Sequence, residues 1–303
     1  MPLNRREFTI GALGAVTASG LASAGTTAGK LLHRPIPSSG EMIPVMGLGT
    51  NRYSVDESAQ ARAPLKATLA RFHALGGGMI DTAPMYRRSE AVLGDLLGEL
   101  GIYDEIFMAT KTDRDAEAET RPQMERSLVR LKSDNVDLMQ IHNLKGWKHT
   151  IPMLNEWKKE GRIRYTGITT SRSRQYDELE TILKAHDLDF LQINYSLEQR
   201  ESAERLLPLA EDRGVAVIIN RAFGGGRIFD AVGDTALPDW ATEFGCESWA
   251  QFLLKYALSH PATTVVIPGM TKARYVDDNF HAAMTRMPDA AERKLMEAFY
   301  DAL

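Results

Sequence analysis

The sequence has little cysteine and no large excess of one charge. Cys246 is the only cysteine among 303 residues, so no disulfide can form within the chain. A chain of this length can bury enough apolar surface to fold without such cross-links. Its 36 basic and 40 acidic residues leave a net charge of −4. This balance gives no electrostatic basis for binding nucleic acid.

The sequence also lacks an apolar run long enough to serve as a membrane anchor. Its N-terminal apolar stretch, residues 10–21, is shorter than the roughly 20 residues that a membrane span needs. The twin-arginine pattern Asn4–Thr9 precedes it, and the small residues Ala22-Ser23-Ala24 follow it. This order is typical of a cleaved export signal. We therefore predict a twin-arginine signal peptide at 1–24, recognition by that export machinery and a periplasmic mature protein.

Short apolar runs alternate with longer amphipathic stretches from residue 45 onward. Runs of this kind suit strands that are buried on both faces of a parallel sheet. Before them, residues 25–40 are predicted to form an N-terminal segment with a β-hairpin, and 41–303 to form the main domain. Eight repeats predict an α/β fold of the (β/α)₈ TIM-barrel type. The predicted strands are Val45–Gly49, Met79–Asp81, Ile106–Thr110, Asp137–Ile141, Ile163–Ile168, Phe190–Asn194, Ala216–Ile219 and Thr264–Ile267.

The alternative to a closed barrel is an open, doubly wound sheet. Such sheets that bind dinucleotides carry Gly-x-Gly-x-x-Gly after the first strand, whereas the stretch Val45–Thr50 has two glycines and then departs from the pattern. The intervening stretches have helical spacing, with Leu65, Leu69, Phe72 and Leu75 on one face. These observations favour the barrel.

Four ionisable side chains fall at or just beyond the ends of consecutive predicted strands: Asp81, Tyr86, Lys111 and His142. In (β/α)₈ barrels the reacting residues lie at this end of the strands. A single such residue is more often structural, but a set from three successive units predicts one reaction centre. Reduction of a carbonyl needs a hydride on carbon, which a cofactor supplies, and a proton on oxygen.

The four residue types suit that proton transfer. A tyrosine hydroxyl is a weak acid, with a pKa of about 10. A neighbouring lysine cation favours the phenolate, so we expect Lys111 to lower the pKa of Tyr86. Asp81 would hold the lysine in place, and His142 would orient the carbonyl and share the proton.

Three motifs resemble those of the aldo-keto reductase superfamily. They are Asp81–Gly94, Glu160–Ile168 and Gln192–Ser196, and the resemblance covers about residues 40 to 285. It implies that Asp81, Tyr86, Lys111 and His142 are catalytic. Steroid double-bond reductases of the superfamily are expected to have glutamate where this chain has His142, so the resemblance implies a carbonyl or alcohol substrate.

The resemblance also implies a nicotinamide cofactor. Thr169, Thr170 and Gln192 would hold its carboxamide, although Thr170 lacks the paired donor and acceptor of an amide. Many relatives place a stacking tyrosine where this chain has Asn220; Phe223 or Trp147 are candidate substitutes. The implied cofactor-binding residues are Thr50, Asp81, Thr169, Thr170, Gln192, Arg221, Phe223, Gly225, Gly269, Thr271, Lys272, Arg274 and Asn279.

The stretch Ile267–Arg274, followed by Asp278-Asn279, resembles the adenosine site of the superfamily. A helix N-terminus that carries Thr271, Lys272 and Arg274 suits a 2′-phosphate. This favours NADP, with NAD still possible. For the basic residues individually, the alternative is a capped helix with solvated side chains.

The substrate is expected to be a small carbonyl or alcohol. The predicted substrate pocket comprises Arg52, Tyr53, Met85 and Trp147, and Trp147 could equally pack within a loop. One alternative function is a cofactor-binding regulatory barrel with slow turnover. Another is an unrelated barrel hydrolase, but His142, His149 and His186 have no metal-ligand spacing, and no metal site is predicted.

Overall fold

A computed structural model describes residues 29–303, so the predicted signal peptide lies outside the described residues. The chain begins with an antiparallel pair of short strands and continues with a parallel sheet. The strands are β1 (His33–Pro35), β2 (Met42–Pro44), β3 (Leu48–Gly49), β4 (Met79–Asp81), β5 (Phe107–Thr112), β6 (Val136–His142), β7 (Ile163–Thr170), β8 (Phe190–Asn194), β9 (Ala216–Asn220) and β10 (Thr263–Val266).

Helices alternate with the strands of the parallel sheet. They are α1 (Ala59–Ala74), α2 (Ser89–Leu100), α3 (Glu117–Leu131), α4 (Trp147–Lys159), α5 (Tyr176–Ala185), α6 (Ser202–Asp212), α7 (Arg227–Val232), α8 (Trp249–Ser259), α9 (Ala273–His281) and α10 (Ala290–Asp301). Within residues 29–303, none of them is long and apolar enough to cross a membrane.

The eight strands from β3 to β10 pair in chain order, and every pair is parallel. The sheet closes between its ends, because Gly47 N–H donates to the Val266 carbonyl (2.8 Å) and Val266 N–H donates to that of Val45 (2.9 Å). The prediction of a (β/α)₈ barrel is therefore confirmed. The first strand is shorter than predicted, since within residues 45–47 only Met46 pairs with β10, through an isolated bridge to Val266.

The hairpin β1–β2 closes the N-terminal end of the barrel, which confirms the predicted hairpin. Its Ile36 and Ile43 belong to the interior cluster of the barrel, together with Phe107, Leu138 and Phe190. This hairpin runs on to Pro44, past the boundary predicted at residue 40. With this end filled by apolar side chains, the reactive groups at the other strand ends face the open end.

Cys246 lies in the packed layer outside the barrel. It follows a 3₁₀ segment, Asp239–Phe244, and only 3% of its surface is exposed. Burial raises the pKa of its thiol to about 12. The thiol is therefore protonated at neutral pH.

Candidate active site

Asp81 and Lys111 form a buried ion pair across neighbouring strands. Asp81 ends β4, and Lys111 lies near the end of β5, whose Ala109 pairs with Asp81 in the sheet. The Lys111 ammonium donates to both carboxylate oxygens of Asp81 (2.8 and 2.6 Å) and to the Thr82 carbonyl (2.8 Å). Its three protons are thus all engaged. Lys111 acts on the neighbouring Tyr86 chiefly through its charge.

Tyr86 lies next to this pair on a short 3₁₀ turn, Pro84–Tyr86, that follows β4. The Lys111 ammonium is 5.5 Å from the centre of its ring. The Lys111 cation pulls the pKa of Tyr86 down, but burial and the Asp81 carboxylate outweigh it. The pKa therefore lies above its usual value of 10, and the lowered pKa predicted from the sequence is not found.

His142 ends β6 and meets Tyr86 edge to face, with their ring centres 6.3 Å apart. Burial, together with the cations of Lys111, Arg172 and Lys145, lowers the pKa of His142 to about 3. The imidazole is therefore neutral at pH 7 and carries one N–H donor. Its buried Nδ1 has no hydrogen-bond partner among the described residues.

Asp81, Tyr86 and His142 line a cavity of about 590 Å³ at the open end of the barrel, and Lys111 lies behind its wall, paired with Asp81. Its volume lies within the range of small-molecule and cofactor sites. Predicted residues in its wall are Thr50, Arg52, Asp81, Tyr86, His142, Thr169, Gln192, Arg221, Phe223, Gly225, Gly269 and Thr271. The wall also includes residues that were not predicted as site residues: Gly49, Asn51, Ser171, Asn220, Ala222, Gly226, Phe229, Ile267, Pro268 and Tyr275.

Three residues of the predicted substrate pocket lie outside this cavity. Tyr53 is fully buried, and its hydroxyl donates to the Met270 carbonyl (2.9 Å). Met85 is 52% exposed and does not line the cavity wall. Trp147 begins α4 and donates its indole N–H to Glu178 (2.9 Å). Arg52 alone of the predicted set lines the wall.

Thr170 also lies outside the cavity wall. Its hydroxyl donates to the Gln175 side chain (2.6 Å) and accepts from the Arg172 N–H (3.1 Å). Both bonds hold the hydroxyl within the loop that follows β7. The side chain is therefore not free to bind a carboxamide, contrary to what the resemblance implies.

The other end of the cavity meets the start of α9. Tyr275 lines the wall, and the predicted phosphate-binding residues Lys272 and Arg274 flank its ring at 5.9 and 5.1 Å from the centre. Neither cation forms an ion pair within residues 29–303. Asn279 is buried on α9, away from the cavity wall. Two unpaired cations beside an aromatic ring can bind an anionic, planar ligand.

A glycine loop forms one side of the cavity. Gly224, Gly225 and Gly226 all have positive φ, a conformation that other residues rarely adopt. Arg227, directly after the loop, binds Glu198 through two hydrogen bonds (3.1 and 2.8 Å). This Arg227–Glu198 ion pair connects the loops that follow β8 and β9.

No group of three histidine, cysteine, aspartate or glutamate side chains in the part of the chain that the structure describes could hold a metal ion. The carbonyl oxygens of the Gln192 and Asn220 side chains are buried in the cavity wall without partners among those same residues. The cavity therefore fits an organic ligand with hydrogen-bond donors.

Comparisons with known proteins identify the family that this chain resembles. A model of the aldo/keto reductase family matches residues 45–299. The aldo-keto reductase YhdN of Bacillus subtilis is 31% identical over 156 residues, 46% of each chain. The NADH-specific methylglyoxal reductase of Escherichia coli is 24% identical over 78% of this chain and 87% of its own.

The fold also matches solved structures. A Klebsiella pneumoniae aldo/keto reductase, solved in complex with NADP and acetate, has a TM-score of 0.73 at 24% identity. The match covers 86% of this chain and 93% of that one.

Proposed function

The chain belongs to the aldo/keto reductase family, and from this we propose that it reduces an aldehyde or ketone, or oxidises the corresponding alcohol, with NADP as the hydride carrier. The observation that carries the proposal is the cluster of Asp81, Lys111, Tyr86 and His142 at one end of a 590 Å³ cavity. The cavity continues to the two unpaired cations at the start of α9. Its wall therefore includes both reacting groups and Tyr275, whose ring lies beside these two cations.

In the proposed reaction Tyr86 protonates the carbonyl oxygen. The phenolate that forms is stabilised by the Lys111 cation, which the buried Asp81 carboxylate holds in place. The neutral His142 can donate its N–H to the same oxygen and orient the substrate. Asp81 and Lys111 are buried and Tyr86 and His142 are half-buried, so little water competes with these interactions.

The residues of the cavity fit a nicotinamide dinucleotide. Thr169 and Gln192 would hold the nicotinamide end, and the glycine loop 224–226 would let the chain approach the diphosphate closely. Lys272 and Arg274 would bind a 2′-phosphate. When bound, this cofactor supplies the hydride that no side chain can provide.

Replacing Tyr86 tests the proposal. Tyr86→Phe should lower kcat for carbonyl reduction by roughly 10²–10⁴-fold, the usual worth of a general acid, and should leave the Kd for NADPH within about twofold, because only the hydroxyl is lost. Steady-state kinetics on a panel of aldehydes and ketones, with fluorescence titration of NADPH, measures both. Tyr53→Phe is the matched control, since its hydroxyl is buried outside the cavity. Equal rates for Tyr86→Phe and the unmodified protein would remove Tyr86 from the reaction.

The same experiment distinguishes the alternative of a regulatory barrel. That alternative is favoured by Asn220, which stands where many relatives carry a stacking aromatic ring. An unmodified protein that binds NADPH tightly but reduces no member of the panel would support the regulatory function. A protein that binds neither NADPH nor NADH would refute both.

We also propose that the mature protein is exported by the twin-arginine pathway to the periplasm. The support is the order of three sequence features, namely the arginine pair, the apolar stretch and Ala22-Ser23-Ala24. The pathway carries folded proteins, so a cofactor could be bound before export.

A further inference from the structure

Two side chains on adjacent strands present unsatisfied acceptors in the cavity wall. They are Gln192 on β8 and Asn220, the last residue of β9. Both line the cavity, and the buried oxygens Oε1 of Gln192 and Oδ1 of Asn220 accept no hydrogen bond from the described residues. Buried acceptors without partners are costly, so a site of this kind favours a ligand that donates to both.

The sheet register keeps the two side chains on one face. Gln192 pairs with Ile218, and Asn220 follows Ile218 by two residues. Because side chains alternate along a strand, Asn220 points to the same side as Ile218, which belongs to the barrel interior. Gln192 and Asn220 are therefore diagonal neighbours at the open end of the barrel.

Thr170 is not placed to bind the cofactor carboxamide. The family resemblance assigns it to a position that binds the cofactor carboxamide, but its hydroxyl is bonded to Gln175 and to the Arg172 N–H. It neither lines the cavity nor offers the donor and acceptor of an amide. Asn220 supplies an amide from the opposite side of β8.

We propose that Asn220 is a positioning residue for the nicotinamide carboxamide. Gln192 and Asn220 accept one hydrogen bond each from its NH₂ group, which carries two donors and matches two unsatisfied acceptors. Such a pair of bonds restricts rotation of the ring, a task that stacking on tyrosine performs in many relatives. This inference rests on the proposed function, because it requires a nicotinamide cofactor.

Binding of a cofactor analogue tests the proposal without turnover. Fluorescence titration would compare NADP⁺ with its 3-acetylpyridine analogue, in which a methyl group replaces the NH₂. The unmodified protein should bind NADP⁺ roughly tenfold more tightly, the expected worth of two hydrogen bonds. Asn220→Leu should weaken NADP⁺ binding by roughly three- to tenfold and leave the analogue within about twofold. Thr170→Val is the control and should keep the preference of the unmodified protein.

Each result decides the matter. If Asn220→Leu weakens both ligands equally, or neither, Asn220 does not bind the carboxamide. If Thr170→Val instead abolishes the preference, the role belongs to Thr170. Asn220→Asp, which keeps the acceptor oxygens, should retain the preference, and Asn220→Ala, which removes the acceptor, serves in place of the leucine variant if that variant does not fold. An unmodified protein that binds neither ligand would refute the proposed function itself.

Discussion

At the scale of single residues, the strand-end positions predicted from the sequence come together around one centre. Asp81, Lys111 and His142 end neighbouring strands, so barrel geometry alone brings them to one rim. What the sequence could not predict is the direction of side chains in the loops beyond. Thr170 bonds within its own loop, and Tyr53 bonds to the Met270 carbonyl. Both hydrogen bonds depend on backbone turns, which the hydrophobic periodicity of the sequence does not predict.

The electrostatics of the centre predict a simple pH profile. With the pKa of His142 near 3 and that of Tyr86 above its usual value, neither group changes its charge between pH 5 and 8. Reduction needs protonated Tyr86, so kcat/KM for reduction should be flat over that range and fall only as the pH passes the raised tyrosine pKa. Alcohol oxidation should rise there instead. An inflection in the reduction profile near pH 6.5 would show that His142 titrates during turnover.

The cations at the start of α9 give a prediction about cofactor choice. Lys272→Ala and Arg274→Ala should each weaken NADP⁺ binding by roughly 3- to 30-fold, as loss of a charged hydrogen bond does, and leave NAD⁺ nearly unchanged. Titration of both cofactors by intrinsic fluorescence measures this. Lys66→Ala is the control, because Lys66 is a solvent-accessible cation that pairs with Glu99 and does not line the cavity. Equal losses for NADP⁺ and NAD⁺ would exclude a 2′-phosphate contact.

At the scale of elements, the eight barrel strands follow from the apolar runs: β4 and β8 have the predicted bounds, and the other strands differ by at most three residues at either end. Gly101, Gly161 and Gly214 follow the ends of α2, α4 and α6 with positive φ, the conformation that glycine favours at a helix C-terminus. The short helix α7 and the 3₁₀ segment Asp239–Phe244 were not predicted. The latter is held by packing of Trp240 and Phe244 on Phe252, a contact that only the tertiary structure creates.

Two glycines of α2 allow a matched test of helix packing. A Cβ on Gly94 would lie 2.5 Å from the Arg130 carbonyl oxygen of α3, whereas one on Gly98 would meet nothing. Gly94→Ala should therefore lower the free energy of unfolding by about 1–3 kcal/mol. Gly98→Ala should raise it by about 0.5–1 kcal/mol through higher helix propensity. Urea denaturation followed by circular dichroism would compare them. Similar changes in both variants would mean that α2 and α3 can separate without cost.

At the scale of the whole molecule, the barrel has one closed and one open end. The hairpin fills the closed end. Its Arg34 guanidinium donates to the carbonyls of Leu258 in α8 and Thr263 at the start of β10. Cofactor and substrate must therefore share the open end. The sequence predicted a hairpin before the barrel, but its position across the closed end follows only from closure of the sheet.

The proposed export predicts where the mature protein is found and where its chain begins. In the native host, the mature chain should begin near Gly25 and be found outside the cytoplasmic membrane, with cofactor bound if folding precedes export. Arg5→Lys combined with Arg6→Lys should leave a folded, active protein in the cytoplasm, because both residues precede the barrel. Cell fractionation, N-terminal sequencing and mass spectrometry of retained cofactor measure this. An uncleaved Met1 on the native cytoplasmic protein would contradict the signal assignment.

The buried thiol of Cys246 determines how the protein would react with oxidants in an oxidising compartment. Only the thiolate attacks a disulfide or a peroxide efficiently, and a protonated sulfur with 3% exposure presents neither charge nor access. A chain that folds before translocation would meet oxidants with this sulfur already shielded. It would therefore stay free of covalent dimers and of sulfenic acid without help from a periplasmic reductase or isomerase.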